Sequence, residues 1–180
     1  MRPSRLSLLA LLPAASLALP ACDRTRDEGC PGQVIAALAL HGDLDAAATG
    51  CAVPPSGGWS VPATIPEGQP RGTFDAVFAW DDAGQRLAYC AGGPHAAVLH
   101  GTRAGDHLHA QVTLQGAVLG SCASTCTPLV TTVVDGDLST GSSPVTFSGR
   151  LTETFDQGAD SCAPCQLPCT STYLLTGTER

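Results

Sequence analysis

Residues 107–115 read HLHAQVTLQ, a stretch in which polar and apolar side chains alternate strictly. A period of two places the two sets of side chains on opposite faces of an extended strand. The stretch therefore predicts a half-buried β-strand whose apolar face consists of Leu108, Ala110, Val112 and Leu114. Similar alternation recurs on both sides of this stretch, with turn-forming residues between the runs. This pattern is typical of an antiparallel sheet.

Seven strands are predicted from residue 72 onward. In chain order they span 72–80, 85–91, 95–103, 106–119, 128–138, 144–155 and 170–178. Their links are short, and no helical pattern alternates with them. We predict an all-β fold, an antiparallel meander that closes into a small barrel or folds into a sandwich.

The segment before these strands is harder to interpret. Residues 31–50 fit either a short helix or an opening strand, because their alanine content obscures the period. Residues 52–71 are rich in proline and glycine, which predicts an irregular connection. The Cys-bracketed segment and the connection together span residues 30–71. We predict that they form one domain, over 30–180, with the strands of residues 72–180.

The N-terminus has the features of an export signal. Arg2 and Arg5 precede an apolar run over residues 6–19, and small residues follow as far as Ala21. This run is shorter than the roughly 20 apolar residues that a membrane-spanning helix needs. The pattern predicts a secretory signal peptide over residues 1–21.

The residues Leu19-Pro20-Ala21-Cys22 resemble the lipobox of bacterial lipoproteins, in which the cysteine is acylated and becomes the new N-terminus. The resemblance implies a lipid on Cys22, a solvated tether over 22–29, and a mature domain held at a bacterial membrane in the cell envelope. Two or more acyl chains hold a protein firmly at a bilayer. Ordinary signal cleavage near Ala21 is the alternative.

Cysteine number favours the lipid anchor. The chain has nine cysteines, so assigning Cys22 to the lipid leaves an even set, which suits full pairing in an oxidising compartment. The predicted disulfide-forming residues are Cys30, Cys51, Cys90, Cys122, Cys126, Cys162, Cys165 and Cys169. The simplest first bond is Cys30–Cys51. Pairing across the hairpin over 128–155 brings residues 122–126 close to residues 162–169, which predicts cross-links between those two segments.

The cysteines also fit two other roles. Cys162-Ala163-Pro164-Cys165 looks like the Cys-x-x-Cys motif of thioredoxin-type oxidoreductases, although that chemistry needs a helix where this sequence predicts a strand. The spacing of the last five cysteines also matches zinc ligands. Export favours disulfides over both alternatives.

Three histidines form the most specific candidate for a chemical site. If the hairpin turns through Ala104-Gly105, His100 faces His109 across the strands and His107 lies on the same face. Three imidazoles on one face are suitable ligands for zinc, copper or nickel. The alternative is a polar strand face that happens to use histidine.

Composition excludes several function classes. The chain has no lysine, which excludes Schiff-base chemistry, a P-loop lysine and a Ser-x-x-Lys nucleophile. Removing the signal peptide leaves seven basic and sixteen acidic residues, a formal charge of −9, which argues against a nucleic-acid partner. Glu153 and Asp156 suit a glycosidase only if they face each other across a cleft. No catalytic motif is present.

By elimination, we predict a non-enzymatic binding or structural module without a required cofactor. Its membrane contact is the lipid on Cys22, and its ligand is a small molecule, an envelope polymer or a protein. The alternatives are a metal-binding role, with zinc or copper at His100, His107 and His109, and a thiol-redox role at Cys162 and Cys165.

Overall fold

The computed structural model describes residues 30–48, 71–91, 97–116, 126–158, 162 and 167–180. They form eight strands: β1 (Gln33–Leu44), β2 (Arg71–Asp81), β3 (Arg86–Ala91), β4 (Leu99–Ala104), β5 (His107–Gln115), β6 (Leu129–Ser139), β7 (Thr146–Asp156) and β8 (Cys169–Glu179). Each strand pairs antiparallel with the next, and β8 pairs with β1, so that the sheet closes into a barrel. The predicted all-β antiparallel fold is confirmed, in its barrel form. No helix among the described residues is long and apolar enough to cross a membrane.

Most of the segment over residues 31–50, for which the sequence allowed either a helix or a strand, forms the strand β1. Ala36, Leu38 and Leu40 alternate along β1 and are buried in the core of the barrel. Ala37, on the other face of the strand, packs against a separate apolar cluster that includes Val77. Because both faces of β1 carry small apolar residues, the sequence shows no clear period of two there.

The two ends of the barrel differ in how the strands are connected. At one end, which we call the turn end, the connections are the short turns 82–85, 105–106 and 140–145. At the other, the loop end, the connections are 45–70, 92–98, 116–128 and 157–168. Loops joined to a rigid sheet are the usual position of binding residues in such folds.

The middle of the barrel holds a packed aromatic and aliphatic core. The ring centre of Phe78 lies 5.0 Å from that of Tyr89 and 5.1 Å from that of Phe147. Around them lie the fully buried leucines Leu38, Leu40, Leu87, Leu99, Leu108, Leu138 and Leu151. Burying each leucine contributes about 1.5–3 kcal/mol, so this core accounts for much of the stability despite the low aromatic content.

Two glycines make room for the Phe147 ring. Gly136 and Gly149 lie directly opposite each other in β6 and β7. A Cβ atom built on either glycine would lie 2.8 Å from Cζ of Phe147, which is closer than real Cβ contacts come. The side-chain space of both positions is therefore occupied by the Phe147 ring.

The first disulfide joins Cys30 to Cys90, so the predicted Cys30–Cys51 bond is wrong. Cys90 lies on β3, and β2 separates this strand from β1 in the closed sheet. Proximity along the chain favoured Cys51, whereas the sheet brings Cys90 near. Gly32 adopts a φ of 103° and packs against the backbone of Trp80 as the chain turns into β1.

A second disulfide joins Cys126, before β6, to Cys162, after β7. It confirms the predicted cross-link between the two segments at the base of this hairpin. Cys169 is also disulfide-bonded. The predictions for Cys22, Cys51, Cys122 and Cys165, for the signal peptide and for the tether over 22–29 fall outside the described residues.

Candidate functional site: a polar layer inside the barrel

Three polar side chains lie side by side inside the barrel near its loop end. Thr132 on β6 pairs with Glu153 on β7, which pairs in turn with Ser171 on β8. Their exposed fractions are 1%, 5% and 4% respectively. Glu153 has the same strand parity as the core residues Leu151 and Phe155, so its carboxylate points into the barrel. We call these three residues the polar layer.

Apolar residues enclose the polar layer from above and below. On the side of the loop end, Val130 and Phe155 are buried in a cluster with Leu167 and Cys169. On the side of the core, the next residues inward are the fully buried Val134 and Leu151. Burying polar groups, and a carboxylate above all, costs free energy that an apolar layer would not. Such a layer is stable only where compensating contacts offset the burial of its polar groups.

Glu153 also acts on a neighbouring phenol. Burial, and then the negative charge of Glu153, raise the pKa of Tyr173 on β8. The phenol is therefore a neutral hydrogen-bond donor at physiological pH. A carboxylate in a low-dielectric interior forms stronger hydrogen bonds than one in water. The layer thus combines a buried carboxyl group with hydroxyl groups.

The second carboxylate considered from the sequence is not part of this site. Asp156 lies three positions after Glu153 at the end of β7. Successive side chains of a strand point to opposite faces, so an odd separation places Asp156 on the outer face. The two carboxylates do not face one cleft, and the pair lacks the arrangement of a glycosidase.

On the outer face, two of the predicted histidines meet two aspartates of β6. His107 lies opposite Asp137 and His109 lies opposite Asp135. His107 Nδ1 is 3.1 Å from Asp137 Oδ1, and His109 Nδ1 is 2.9 Å from Asp135 Oδ2. His107 Nε2 also lies 3.5 Å from Asp135 Oδ2. The four side chains form imidazole–carboxylate pairs across the outer face of β5 and β6.

His100 does not face His109, contrary to expectation. The hairpin turns through Gly105-Asp106, where Gly105 has a φ of 66°, so Thr102 lies opposite His109 and His100 lies opposite Gln111. Glycine with positive φ at the first turn position is typical of a tight two-residue hairpin turn. Among the described residues, no group of three or more His, Cys, Asp or Glu side chains is arranged to hold a metal ion. The three-histidine metal site stays a prediction.

The proposed redox cysteine lies in a structural environment. Cys162 is bonded to Cys126 and is 2% exposed. Its partner in the Cys-x-x-Cys motif, Cys165, lies outside the described residues. A buried cysteine in a disulfide lacks the exposed, low-pKa thiol that exchange chemistry uses.

No family model, curated protein or solved structure matches the chain. The site is therefore interpreted from its own chemistry. Sequence reasoning missed Thr132 and Ser171, which resemble the many other hydroxyl residues of these strands. The signal that identifies the layer is parity, because Glu153 falls on the apolar face of β7.

Proposed function

We propose that this protein is a lipid-anchored protein of the cell envelope, whose barrel binds a small molecule at the loop end. The observation that carries the proposal is the buried polar layer of Thr132, Glu153 and Ser171 within an otherwise apolar barrel. Eight-stranded barrels enclose enough space for packed side chains or one small ligand. Ligand sites in proteins are lined mostly by apolar side chains with a few placed polar groups, and the polar layer with its apolar neighbours has that composition.

The polar layer favours a particular kind of ligand group. Ionised Glu153 accepts hydrogen bonds and donates none, whereas the hydroxyls of Thr132 and Ser171 do both. The ligand therefore presents a hydrogen-bond donor to Glu153. The flanking residues Val130 and Phe155 suit an apolar body beside that donor.

The envelope location rests on the sequence, and the disulfides support it. Cys30–Cys90 and Cys126–Cys162 are structural bonds, and such bonds persist in oxidising compartments. The described domain begins at Cys30, eight positions after the cysteine proposed to carry the lipid. The partner at the membrane is thus the bilayer itself, reached through the acyl chains on Cys22.

Native mass spectrometry tests the binding proposal. The protein is extracted from envelopes in mild detergent, and we expect an added small-molecule mass that is lost on denaturation. Glu153→Gln removes the charge of the polar layer and should reduce occupancy about tenfold, since hydrogen bonds to charged groups contribute about 1.5–3 kcal/mol. Glu179→Gln removes an exposed charge from β8 and should leave occupancy unchanged. A wild-type protein without a bound molecule, or equal losses in both variants, would contradict the proposal.

An intact mass tests the anchor. The protein is alkylated under denaturing, non-reducing conditions before the measurement. We expect a lipid-sized increment on an N-terminal Cys22 and no alkylated cysteine. An unmodified chain that begins elsewhere would overturn the anchor, and alkylated cysteines would overturn complete disulfide pairing.

A further inference from the structure

The outer face of β5 presents two imidazoles, each beside a carboxylate of β6. His107 and His109 are two positions apart, so both point to the same side of the strand. Asp137 lies opposite His107, and Asp135 lies opposite His109. The binding proposed for the barrel interior gives this face no role. We call His107 and His109 the histidine pair.

The aspartates determine which nitrogen of each ring is available to a ligand. Nδ1 of His107 lies 3.1 Å from Asp137 Oδ1, and Nδ1 of His109 lies 2.9 Å from Asp135 Oδ2. An ionised carboxylate accepts hydrogen bonds and cannot donate one, so Nδ1 carries the hydrogen in both rings. The lone pair of a neutral imidazole is then on Nε2. Histidines that bind metal ions are typically held in this way, by a carboxylate on the other ring nitrogen.

The two rings lean toward one another and are open to solvent. Asp135 Oδ2, which accepts the hydrogen bond of His109, is also 3.5 Å from Nε2 of His107. On the other side of the pair, β4 places the short side chains of Thr102 and Ala104 opposite His109 and His107. The imidazole side chains are 49% exposed for His107 and 43% exposed for His109. An ion in solution can therefore reach both.

Two imidazoles at this spacing suit a divalent ion of the first transition row. Residues two apart on a strand are separated by about 6.7 Å, a gap that two imidazole side chains span to meet at one ion. Affinity for nitrogen ligands is highest for copper(II), whose tetragonal geometry combines nitrogen with oxygen ligands such as water. A site with two protein ligands is also consistent with the described residues, which contain no cluster of three or more such side chains around one ion.

We propose that His107 and His109 bind one copper(II) ion through their Nε2 atoms on the outer face of the barrel. Asp137 and Asp135 are positioning residues, because they hold the rings through Nδ1. Arg150 lies opposite Asp135 on β7, so these three charged side chains together leave the face negative, which favours a cation. The site lies outside the barrel interior, so this inference and the proposed function can fail separately.

Titration of the full-length protein with copper(II) sulfate tests the proposal. The protein is purified in detergent and treated with iodoacetamide, so that no free thiol binds the metal. Calorimetry should show one equivalent of bound copper, and electron paramagnetic resonance should show hyperfine splitting from two nitrogens. His107→Gln and His109→Gln should each weaken binding at least about tenfold, because loss of even an outer-shell partner has an effect of that size. Zinc(II) should bind more weakly than copper(II).

His41→Gln is the matched control. His41 is 48% exposed on β1, and its Nε2 lies 3.5 Å from Asp43 Oδ2, but no second histidine lies two positions away. It should therefore leave copper affinity unchanged. Asp137→Asn should weaken binding about tenfold while the two-nitrogen spectrum is retained, which distinguishes a positioning residue from a ligand. Circular dichroism of the metal-free variants should match that of the wild-type protein.

Each of the other outcomes would overturn part of the proposal. No bound copper in the wild-type protein, or equal weakening by His41→Gln, would overturn the site. Unchanged affinity in either His107→Gln or His109→Gln would overturn the two-histidine chelate. Tighter binding of zinc than of copper would overturn the choice of metal, and wild-type affinity in Asp137→Asn would overturn its positioning role.

Discussion

Cys30 is bonded to Cys90 across the outer face of the barrel. Cys30 leads into β1 and Cys90 lies on β3, so β2 lies between the two strands that the bond connects. The segment before β1 is thereby fixed to a strand that is not its neighbour in the sheet. The bond closes a loop of about 60 residues that contains all of β1 and β2. Its main effect is expected on the unfolded chain, whose conformational freedom it restricts.

Replacing Cys30 and Cys90 together by serine should lower the free energy of unfolding by about 4 kcal/mol, the value that chain entropy gives for a loop of this length. Denaturation in guanidinium chloride, followed by circular dichroism, measures the change. A non-reducing digest of the wild-type protein checks the bond itself and should yield the Cys30 peptide linked to the Cys90 peptide. A Cys30–Cys51 peptide would contradict the structure.

Gly149→Ala should destabilise the barrel by about 1–3 kcal/mol, the typical cost of overpacking. The added Cβ would meet the carbonyl oxygen of Asp135 and would lie 2.8 Å from Cζ of Phe147. Gly141→Ala is the matched control, because nothing lies within 4 Å of a Cβ at that turn position. Urea denaturation of both variants measures the difference. Equal stabilities would show that the backbone at Asp135 and the Phe147 ring both move aside at no cost.

Asp81 should titrate below the ordinary range of an aspartate. Its Oδ1 accepts hydrogen bonds from the backbone N–H groups of Ala83 and Gly84, at 3.1 and 3.2 Å, and its Oδ2 accepts one from Arg86 Nε at 3.3 Å. The bond from Gly84 is the largest cause of the lowered pKa, and burial opposes it. An NMR titration of the carboxyl carbon measures the pKa.

The lowered pKa of Asp81 has a defined consequence for stability. A carboxyl whose pKa is lower in the folded state stabilises that state above its unfolded pKa, and the contribution disappears as the pH falls through the folded pKa. Asp81→Asn should therefore be less stable than the wild-type protein at pH 7 and equally stable at about pH 2. A deficit that is the same at both values would mean that the charge is irrelevant and that only side-chain shape matters.

Glu153→Gln should lower the pKa of Tyr173 toward its ordinary value. The shift should be partial, because burial is the larger cause of the raised pKa and the charge of Glu153 is the second. Ultraviolet absorption at alkaline pH detects phenolate formation. Tyr89 does not interfere, since its complete burial raises its pKa further. An unchanged titration would mean that Glu153 is not ionised inside the barrel, whereas the Glu179→Gln control should titrate like the wild-type protein.

The period of two was enough to predict most of the sheet, because one face of each strand packs in the core and the other faces solvent. His107–Gln115 shows this alternation without interruption. β1 escaped assignment because Ala37 and its neighbours are apolar on the outer face as well. The turn at Gly105-Asp106 differed by one position from the predicted turn, and this moved the residue opposite His109 from His100 to Thr102. Register depends on single turn residues, which local patterns do not determine.

The candidate site was harder to predict than the fold. The sequence suggested Glu153 only as a partner of Asp156, but these two residues lie on opposite faces of β7. Thr132 and Ser171 become neighbours of Glu153 only through the pairing of three strands. Sequence separation hides such a layer, because its members come from three different strands.

The pairing of β1 with β8 also determines when the barrel can be completed. Leu38 of β1 lies opposite Glu179 of β8, so the second edge of β1 stays unpaired until β8 is in place. Of the described strands β1 is the first along the chain and β8 the last, and pairings between such distant segments form slowly. During that interval β1 exposes backbone groups on which a second chain can add a strand. The folding chain is therefore most vulnerable to aggregation in the interval before the eleven-residue β8 pairs with β1.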